Sequence, residues 1–191
     1  MSFFNLYNKP NYNYLKSIKA GNSIFAVGEI LLNGSNPKTL LTKLNINGDV
    51  IWEKAYSFVN SETFIRNYDI IECDNGDLLM MGREPNDYNY KSYITRIKST
   101  TGAIVWQKRS NLKLIGYDNS IVSVGNDKYV FALMQPDANG RTVIFKIDGN
   151  GNILASKTVG TVDNLSGFRH AGIVKGPNKI GLYGYAVHLE N

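Results

Sequence analysis

LTKLNINGDVIWEK at residues 41–54 and ITRIKSTTGAIVWQK at residues 94–108 are two copies of one pattern. In each copy an apolar segment leads into a polar turn, and the segment after the turn carries a tryptophan. A weaker third copy, IFKIDGNGNILASK, follows at residues 144–157, with Ala155 in the place of tryptophan. Each copy predicts a β-hairpin, because a short turn rich in Gly, Asn or Thr joins two strand-like segments. A unit that recurs about every fifty residues indicates a stacked or radial repeat.

A second kind of hairpin stands between the tryptophan hairpins and also repeats. Its four copies are LKSIKAGNSIFAVG (15–28), YDIIECDNGDLLMMG (68–82), NSIVSVGNDKYVFALM (119–134) and HAGIVKGPNKIGLYG (170–184). Their second strands are densely apolar, as in Leu78–Met81, which predicts burial on both faces of the strand. We call these four the inner hairpins and the tryptophan hairpins the outer hairpins.

One inner and one outer hairpin together predict a four-stranded antiparallel unit of about fifty residues, the size of a β-propeller blade. We therefore expect an all-β fold of β-propeller type in a single domain over residues 1–191. Its units are predicted at approximately 15–56, 68–110, 119–159 and, incomplete, 170–185. A β-sandwich is the alternative fold, although it does not predict a repeat. The unequal number of inner and outer hairpins favours a larger natural ring or a homo-oligomer.

The second unit resembles a known family of repeats. The matching residues are Asp74, Gly76, Gly82, Arg96, Ile97, Gly102 and Trp106. They follow the repeat of propellers in bacterial secreted and surface proteins, which has an Asp-Gly-Gly turn, an apolar strand ending in Gly, and Lys-(Leu/Ile)-Asp-x-x-Gly-x-x-x-Trp. The stretch Ile97–Trp106 is also similar to the repeat of quinoprotein-type propellers. The resemblance implies a propeller fold, and repeats of this type serve many functions.

Composition argues against several classes of protein. The chain has 21 Lys and Arg, 16 Asp and Glu and a net charge of +5, but its basic residues are scattered, so we expect no nucleic-acid partner. Cys73 is the one cysteine, which excludes an intramolecular disulfide. No stretch approaches the ~18 apolar residues of a membrane span, and no signal peptide is recognised, so a soluble protein without membrane insertion is expected. The compartment stays open between the cytoplasm, export without a classical signal, and an excised domain of a secreted protein.

The sequence assembles no recognisable catalytic site. His170 and His188 have no Cys or carboxylate at metal-ligand spacing, and neither a phosphate-binding loop nor a GxSxG elbow occurs. The alternating oxygen side chains of Asp148–Asn152 are explained by turn chemistry that the other outer hairpins share, so we expect neither metal nor cofactor. The expected role is non-catalytic recognition of a protein or glycan partner. The alternatives are a glycan-active hydrolase or lyase with a site assembled across units, and a structural scaffold without a small ligand.

Three basic residues are the first candidates for ligand binding. Lys43, Arg96 and Lys146 occupy the same position in the three outer hairpins. A radial arrangement would collect them into a positive ring that binds an anion. The alternative is that these long side chains cover apolar surface between the units and keep their charged ends in water.

Aromatic residues form the second group of candidates. The loop at 86–93 is dense in Tyr and Asn, and its Tyr88, Tyr90 and Tyr93 are predicted to contact a sugar or a protein. Trp52 and Trp106 are predicted to be structural, at equivalent places between units, where each buries apolar area and donates its indole N–H to a neighbouring turn.

Overall fold

The structure is a computed structural model that describes residues 11–31, 38–56, 66–83, 91–116, 119–135, 141–159, 168–177 and 179–186. These residues form strands and no helix. The strands are β1 (Tyr12–Ala20), β2 (Ser23–Ile30), β3 (Lys38–Asn45), β4 (Val50–Tyr56), β5 (Arg66–Glu72), β6 (Leu78–Arg83), β7 (Lys91–Ile97), β8 (Ile104–Lys113), β9 (Ile121–Ser123), β10 (Lys128–Met134), β11 (Thr142–Asp148), β12 (Ile153–Val159), β13 (Phe168–Lys175) and β14 (Ile180–Ala186). Within this part of the chain, no helix suited to crossing a membrane is therefore found.

The strands pair in chain order into antiparallel sheets. Sheet 1 is β1-β2-β3-β4, sheet 2 is β5-β6-β7-β8, sheet 3 is β9-β10-β11-β12, and sheet 4 is the pair β13-β14. Each four-stranded sheet consists of one inner hairpin followed by one outer hairpin. The prediction of an all-β chain with repeated four-stranded antiparallel units is confirmed.

The second strand of the inner hairpin is buried on both faces, as its apolar run predicts. In β6, Leu78 and Met80 belong to the apolar cluster shared with sheet 1, whereas Leu79 and Met81 belong to the cluster shared with sheet 3. Successive residues of a strand point to opposite faces, so one strand supplies two cores. Sheet 2 therefore lies between sheets 1 and 3.

Each sheet packs against the next sheet along the chain. We call the contact between sheets 1 and 2 the first interface and the contact between sheets 2 and 3 the second interface. The first is built around Phe25, Leu41, Tyr56, Met80 and Ile97, and the second around Leu79, Leu114, Phe131, Leu133 and Ile147. A smaller cluster of Val130, Ala132 and Ile173 joins sheets 3 and 4.

The turns of the outer hairpins are held by their own side chains. In sheet 3 the Asp148 carboxylate accepts hydrogen bonds from the backbone N–H groups of Asn150 and Asn152, at 2.9 and 2.8 Å. In sheet 1 the Asn45 side chain accepts two such bonds in the same arrangement. The glycine of the turn has a positive φ, 74° at Gly151, which a residue with a side chain adopts only with strain.

Candidate functional site

The first strands of three inner hairpins are irregular at the same place. In β1, β5 and β13 the pairing register shifts between Tyr14 and Lys16, Asn67 and Asp69, and His170 and Gly172. Such a β-bulge redirects the neighbouring side chains. In sheets 1 and 2 the residues after the shift are Lys16 and Asp69, so the repeat brings a cation and an anion to corresponding positions.

These residues are part of a polar cluster drawn from all four sheets. We call Lys16, Asp69, Asn119 and Tyr183 the polar cluster. The Lys16 ammonium forms an ion pair with the Asp69 carboxylate, and it also donates a hydrogen bond to Asn119 Oδ1 at 3.1 Å. Asn119 Nδ2 lies 3.5 Å from the Tyr183 hydroxyl oxygen. Asn119 is the first residue of the inner hairpin of sheet 3, two residues before β9, and adopts a φ of 58°, a left-handed conformation that asparagine tolerates better than most residues.

Asp69 anchors the polar cluster. Its carboxylate is fully buried, and its two oxygens accept hydrogen bonds from the backbone N–H groups of Ile70 and Ile121, each at 2.9 Å. Burial raises the pKa of the Asp69 carboxyl, while the Lys16 ammonium and the two N–H groups oppose that rise. Both oxygens are therefore engaged in holding sheets 1, 2 and 3 together.

The other members of the polar cluster reach solvent. Asn119 is exposed, and Tyr183 exposes 47% of its surface. The ring of Tyr183 lies over Gly172, where an added Cβ would fall 2.3 Å from the hydroxyl oxygen. Because Lys16 and Asp69 neutralise each other, the cluster has no net charge. Its exposed part consists of the phenol ring of Tyr183 and the carboxamide of Asn119.

Arg96 occupies a second polar site, in the second interface, and is 5% exposed. Its guanidinium contacts Asp77 of its own sheet at 3.2 Å and Asp127 of sheet 3 at 3.1 Å, and it donates to the Gly149 carbonyl at 2.6 Å. The Tyr129 hydroxyl donates to Asp127 at 2.6 Å. Burial favours a higher pKa for the Asp127 carboxyl, but the Tyr129 hydroxyl and the Arg96 guanidinium outweigh it and hold that pKa below its usual range.

The structure places the other two candidate cations at the corresponding positions. Lys43 donates to the Ser99 carbonyl of sheet 2 at 3.1 Å, and its ammonium lies 5.4 Å from the centre of the Phe25 ring. Lys146 is half-buried and makes no hydrogen bond or ion pair within the described part of the chain. Lys43 and Arg96 thus bridge to the outer turn of the next sheet, and the charged end of Arg96 is buried there and not in water. Anion binding by the three cations stays a prediction.

The three candidate tyrosines have different positions. Tyr88 and Tyr90 lie outside the described residues. Tyr93 is 6% exposed and belongs to the apolar cluster of the first interface, with the Arg109 guanidinium carbon 5.7 Å from its ring centre. Its predicted contact with a sugar or a protein stays a prediction.

Trp52 and Trp106 lie at equivalent places in the two interfaces, each against the turn glycine of the next sheet. The Trp106 indole donates to the Gly149 carbonyl at 2.9 Å. The buried indole N–H of Trp52 has no hydrogen-bond partner among the described residues. The turn that faces Trp52 is one residue longer, since the Lys98 N–H bonds to the Ala103 carbonyl where the Asp148 N–H bonds to the Asn152 carbonyl.

Two further features limit the chemistry available. In the part of the chain that the structure describes, no three residues among His, Cys, Asp and Glu are grouped to hold a metal ion. Burial raises the pKa of the Cys73 thiol to about 11, so this cysteine stays protonated at neutral pH.

The polar cluster was not predicted from the sequence, although a signal for it exists. Lys16, Asp69 and Asn119 stand at or beside the first position of successive inner hairpins, 53 and 50 residues apart. Polar residues recurring at the start of otherwise apolar hairpins indicate a shared polar environment. The sequence spacings that are typical of catalytic sites do not reveal such residues, because only the repeat brings them together.

Comparison with known proteins identifies no family for this chain. No family model and no curated protein matches the chain. Among solved structures, the chain is similar to the crystal structure of a protein of unknown function from Bacteroides caccae, with 11% sequence identity and a TM-score of 0.48. The match covers 84% of this chain and 50% of that one, so the chain spans half the length of this structural relative.

Proposed function

We propose that this chain is a propeller-type repeat module whose function is recognition, and that it binds a glycan through the polar cluster. The observation that carries the proposal is the convergence of Lys16, Asp69, Asn119 and Tyr183 from four sheets, with the last two exposed.

The contacts of Lys16 favour a radial arrangement over a layered one. Its ammonium binds Asp69 of sheet 2 and Asn119 of sheet 3 simultaneously. Sheets stacked face to face lie ~10 Å apart, so the first and third sheets of a flat stack are separated by ~20 Å. That distance exceeds the reach of the four-carbon stem of lysine. Sheets that converge at their innermost strands, as propeller blades do around an axis, satisfy both contacts.

The chemistry of the polar cluster suits a neutral, hydroxyl-rich ligand. A carboxamide both donates and accepts hydrogen bonds, as a sugar hydroxyl does, and an exposed tyrosine ring offers a flat apolar surface with a polar end. The charges of Lys16 and Asp69 compensate each other, so the cluster offers no excess charge to an ionic partner. These features favour a glycan over a strongly charged ligand.

The engagement of Asp69 favours recognition over hydrolysis. A glycoside hydrolase requires two carboxyl groups that face the scissile bond. Asp69 supplies the carboxylate of the polar cluster, and both of its oxygens accept backbone hydrogen bonds in a fully buried position. It is therefore placed to hold the sheets and not to reach a substrate.

The radial arrangement can be tested by a double-mutant cycle between sheets 1 and 3. Lys16→Met and Asn119→Gly each remove one side of the contact, and glycine tolerates the left-handed backbone at position 119. We expect a coupling free energy of about 0.5–1 kcal/mol, measured by urea unfolding. Strictly additive effects would contradict the convergence of these two sheets.

Recognition can be tested on an array of neutral and acidic oligosaccharides. We expect the protein to bind a subset of neutral glycans, and Asn119→Gly and Tyr183→Ala to weaken that binding by at least ~10-fold. Leu112→Ala is the matched control, because Leu112 is 50% exposed on β8, a strand that supplies no member of the polar cluster. Absence of binding to every glycan, or equal binding by the two variants and the protein, would contradict the proposal.

A further inference from the structure

The two interfaces differ at one position of the repeat. Tyr56 stands four residues after Trp52, at the end of β4, and its ring fills the first interface with only 8% of its surface exposed. Its hydroxyl donates to the Gly102 carbonyl in the outer turn of sheet 2, at 2.7 Å. The equivalent residue four positions after Trp106 is Ser110, which has no ring.

A cavity of about 150 Å³ lies beside Ser110 in the second interface. Its walls are mainly apolar and include Ile94, Leu114, Leu133, Phe145 and Ile147, and the turn glycine Gly151 also lines it. Gly151 is the counterpart of Gly102, since each turn glycine packs against the tryptophan and lysine of the preceding sheet. The cavity therefore occupies the place that the tyrosine ring fills in the first interface.

The carbonyl that accepts the hydrogen bond from Tyr56 also has a counterpart in the second interface. In the first interface the Gly102 carbonyl accepts the bond from Tyr56. In the second interface the Gly151 carbonyl accepts no hydrogen bond from the residues that the structure describes. The second interface thus combines an apolar space with an available acceptor at one end.

We propose that this cavity is a binding site for a small phenol, a single aromatic ring with one hydroxyl group. The ring would lie between Ile94, Leu133 and Phe145, and its hydroxyl would donate to the Gly151 carbonyl as Tyr56 does to Gly102. Apolar cavities of about 150 Å³ accept ligands of the size of benzene. This site is independent of the polar cluster and of glycan recognition.

The proposal can be tested by titrating the intact chain with phenol and with benzene while following the NMR signals of Gly151 and the surrounding methyl groups. We expect saturable shifts with both compounds and about fivefold tighter binding of phenol, which reflects its additional hydrogen bond. Absence of saturable shifts, or equal affinity for the two compounds, would overturn the proposal.

Two variants locate the site. Ser110→Tyr gives the second interface the tyrosine ring that the first interface has. We expect this variant to abolish the saturable NMR shifts with phenol. Because Ser110 also donates to the Leu112 carbonyl at 2.6 Å, a variant that keeps Ser110 is needed as well. Ile153→Trp serves this purpose, since Ile153 lines the cavity and is 64% exposed. It is expected to narrow the opening and weaken phenol binding at least ~10-fold.

Ile46→Trp is the matched control, because Ile46 is 60% exposed in the outer turn of sheet 1, outside the cavity lining. It should leave the phenol response unchanged. If folded Ser110→Tyr or Ile153→Trp binds phenol as the original chain does, the ligand occupies another place and the proposal is wrong.

Discussion

The first and second interfaces are built from the same repeat and are stabilised by different means. In the first, Tyr56 fills the space beside the outer turn, and Lys43 makes a single hydrogen bond to a neutral carbonyl. In the second, the Arg96 guanidinium contacts two carboxylates and a carbonyl, and Ser110 stands where the first interface has its tyrosine. Both interfaces therefore have an apolar core, to which the first adds the ring of Tyr56 and the second adds the polar network of Arg96.

The comparison shows what the repeat specifies and what it leaves free. Tryptophan, lysine and a turn glycine recur in both interfaces and contact one another in the same way. Two positions vary between the interfaces. One is Lys43 in the first interface and Arg96 in the second, and the other is Tyr56 in the first and Ser110 in the second. An interface can lose a ring where it gains an ion-pair network, because the free energy of packing and that of buried polar contacts both contribute to stability.

Removing the ring of Tyr56 should have the largest effect. Tyr56→Ser gives the first interface the side chain of the second, and we expect it to lower the free energy of unfolding by about 3–4 kcal/mol, because it leaves a cavity. Ser110→Ala removes one hydroxyl group and its hydrogen bonds, and should cost about 1 kcal/mol. Urea unfolding followed by tryptophan fluorescence measures both, and equal costs would contradict the different roles of the two positions.

Arg96 should be the most important cation. Arg96→Met leaves Asp77 without its buried cation, while the Gly149 carbonyl keeps the hydrogen bond from the Trp106 indole. We expect a loss of about 2–3 kcal/mol, reduced from the fully buried case because Asp127 is half exposed. Lys43→Met removes one hydrogen bond to a neutral carbonyl and should cost less than ~1 kcal/mol. Similar unfolding midpoints for the two variants would show that the polar network is not specific to the second interface.

The repeated hairpins could be predicted from the sequence because their signals are local. The turn at Asp148–Asn152 and the apolar run at Leu78–Met81 determine their structure within a few residues, through turn hydrogen bonds and burial on two faces. The equivalence of Trp52 and Trp106 follows from the similar sequences that surround them. These features need no knowledge of how the sheets meet.

The polar cluster and the cavity depend on how the sheets meet. Lys16 and Asn119 are 103 residues apart, and their contact requires both the bulge in β1 and the convergence of sheets 1 and 3. The contrast between Tyr56 and Ser110 is visible in an alignment of the repeats. Whether other side chains fill the space of the absent ring depends on Leu133 and Phe145 across the interface, which no local pattern specifies.

The two tryptophans should differ by about one hydrogen bond. Trp106→Phe removes the bond to the Gly149 carbonyl, whereas Trp52→Phe removes an indole N–H that has no partner among the described residues. We expect Trp106→Phe to be the more costly substitution by about 1 kcal/mol, since the loss of apolar area is the same in both. Thermal unfolding of the two variants measures the difference, and a greater cost at Trp52 would contradict the assigned contacts.

The smallest expected effect is a change in the free energy of unfolding with pH. We expect it from the second interface, which contains the ion pair of Arg96 and Asp127. The folded chain holds the pKa of Asp127 below its ordinary value of 3.8, so its carboxylate contributes stability above that value. This contribution is lost as the pH falls through the lower pKa of the folded state. Asp127→Asn should therefore be less stable than the original chain near neutral pH, by less than ~1 kcal/mol because the pair is partly exposed. The two stability curves should converge as the pH falls through the lower pKa of the folded state. Lys43→Met is the control, because Lys43 binds a neutral carbonyl. Its removal should leave the dependence of stability on pH unchanged at acid pH. If the curves of Asp127→Asn and the original chain stay parallel from pH 7 to about pH 2, the ion pair with Arg96 does not contribute to the stability of the second interface.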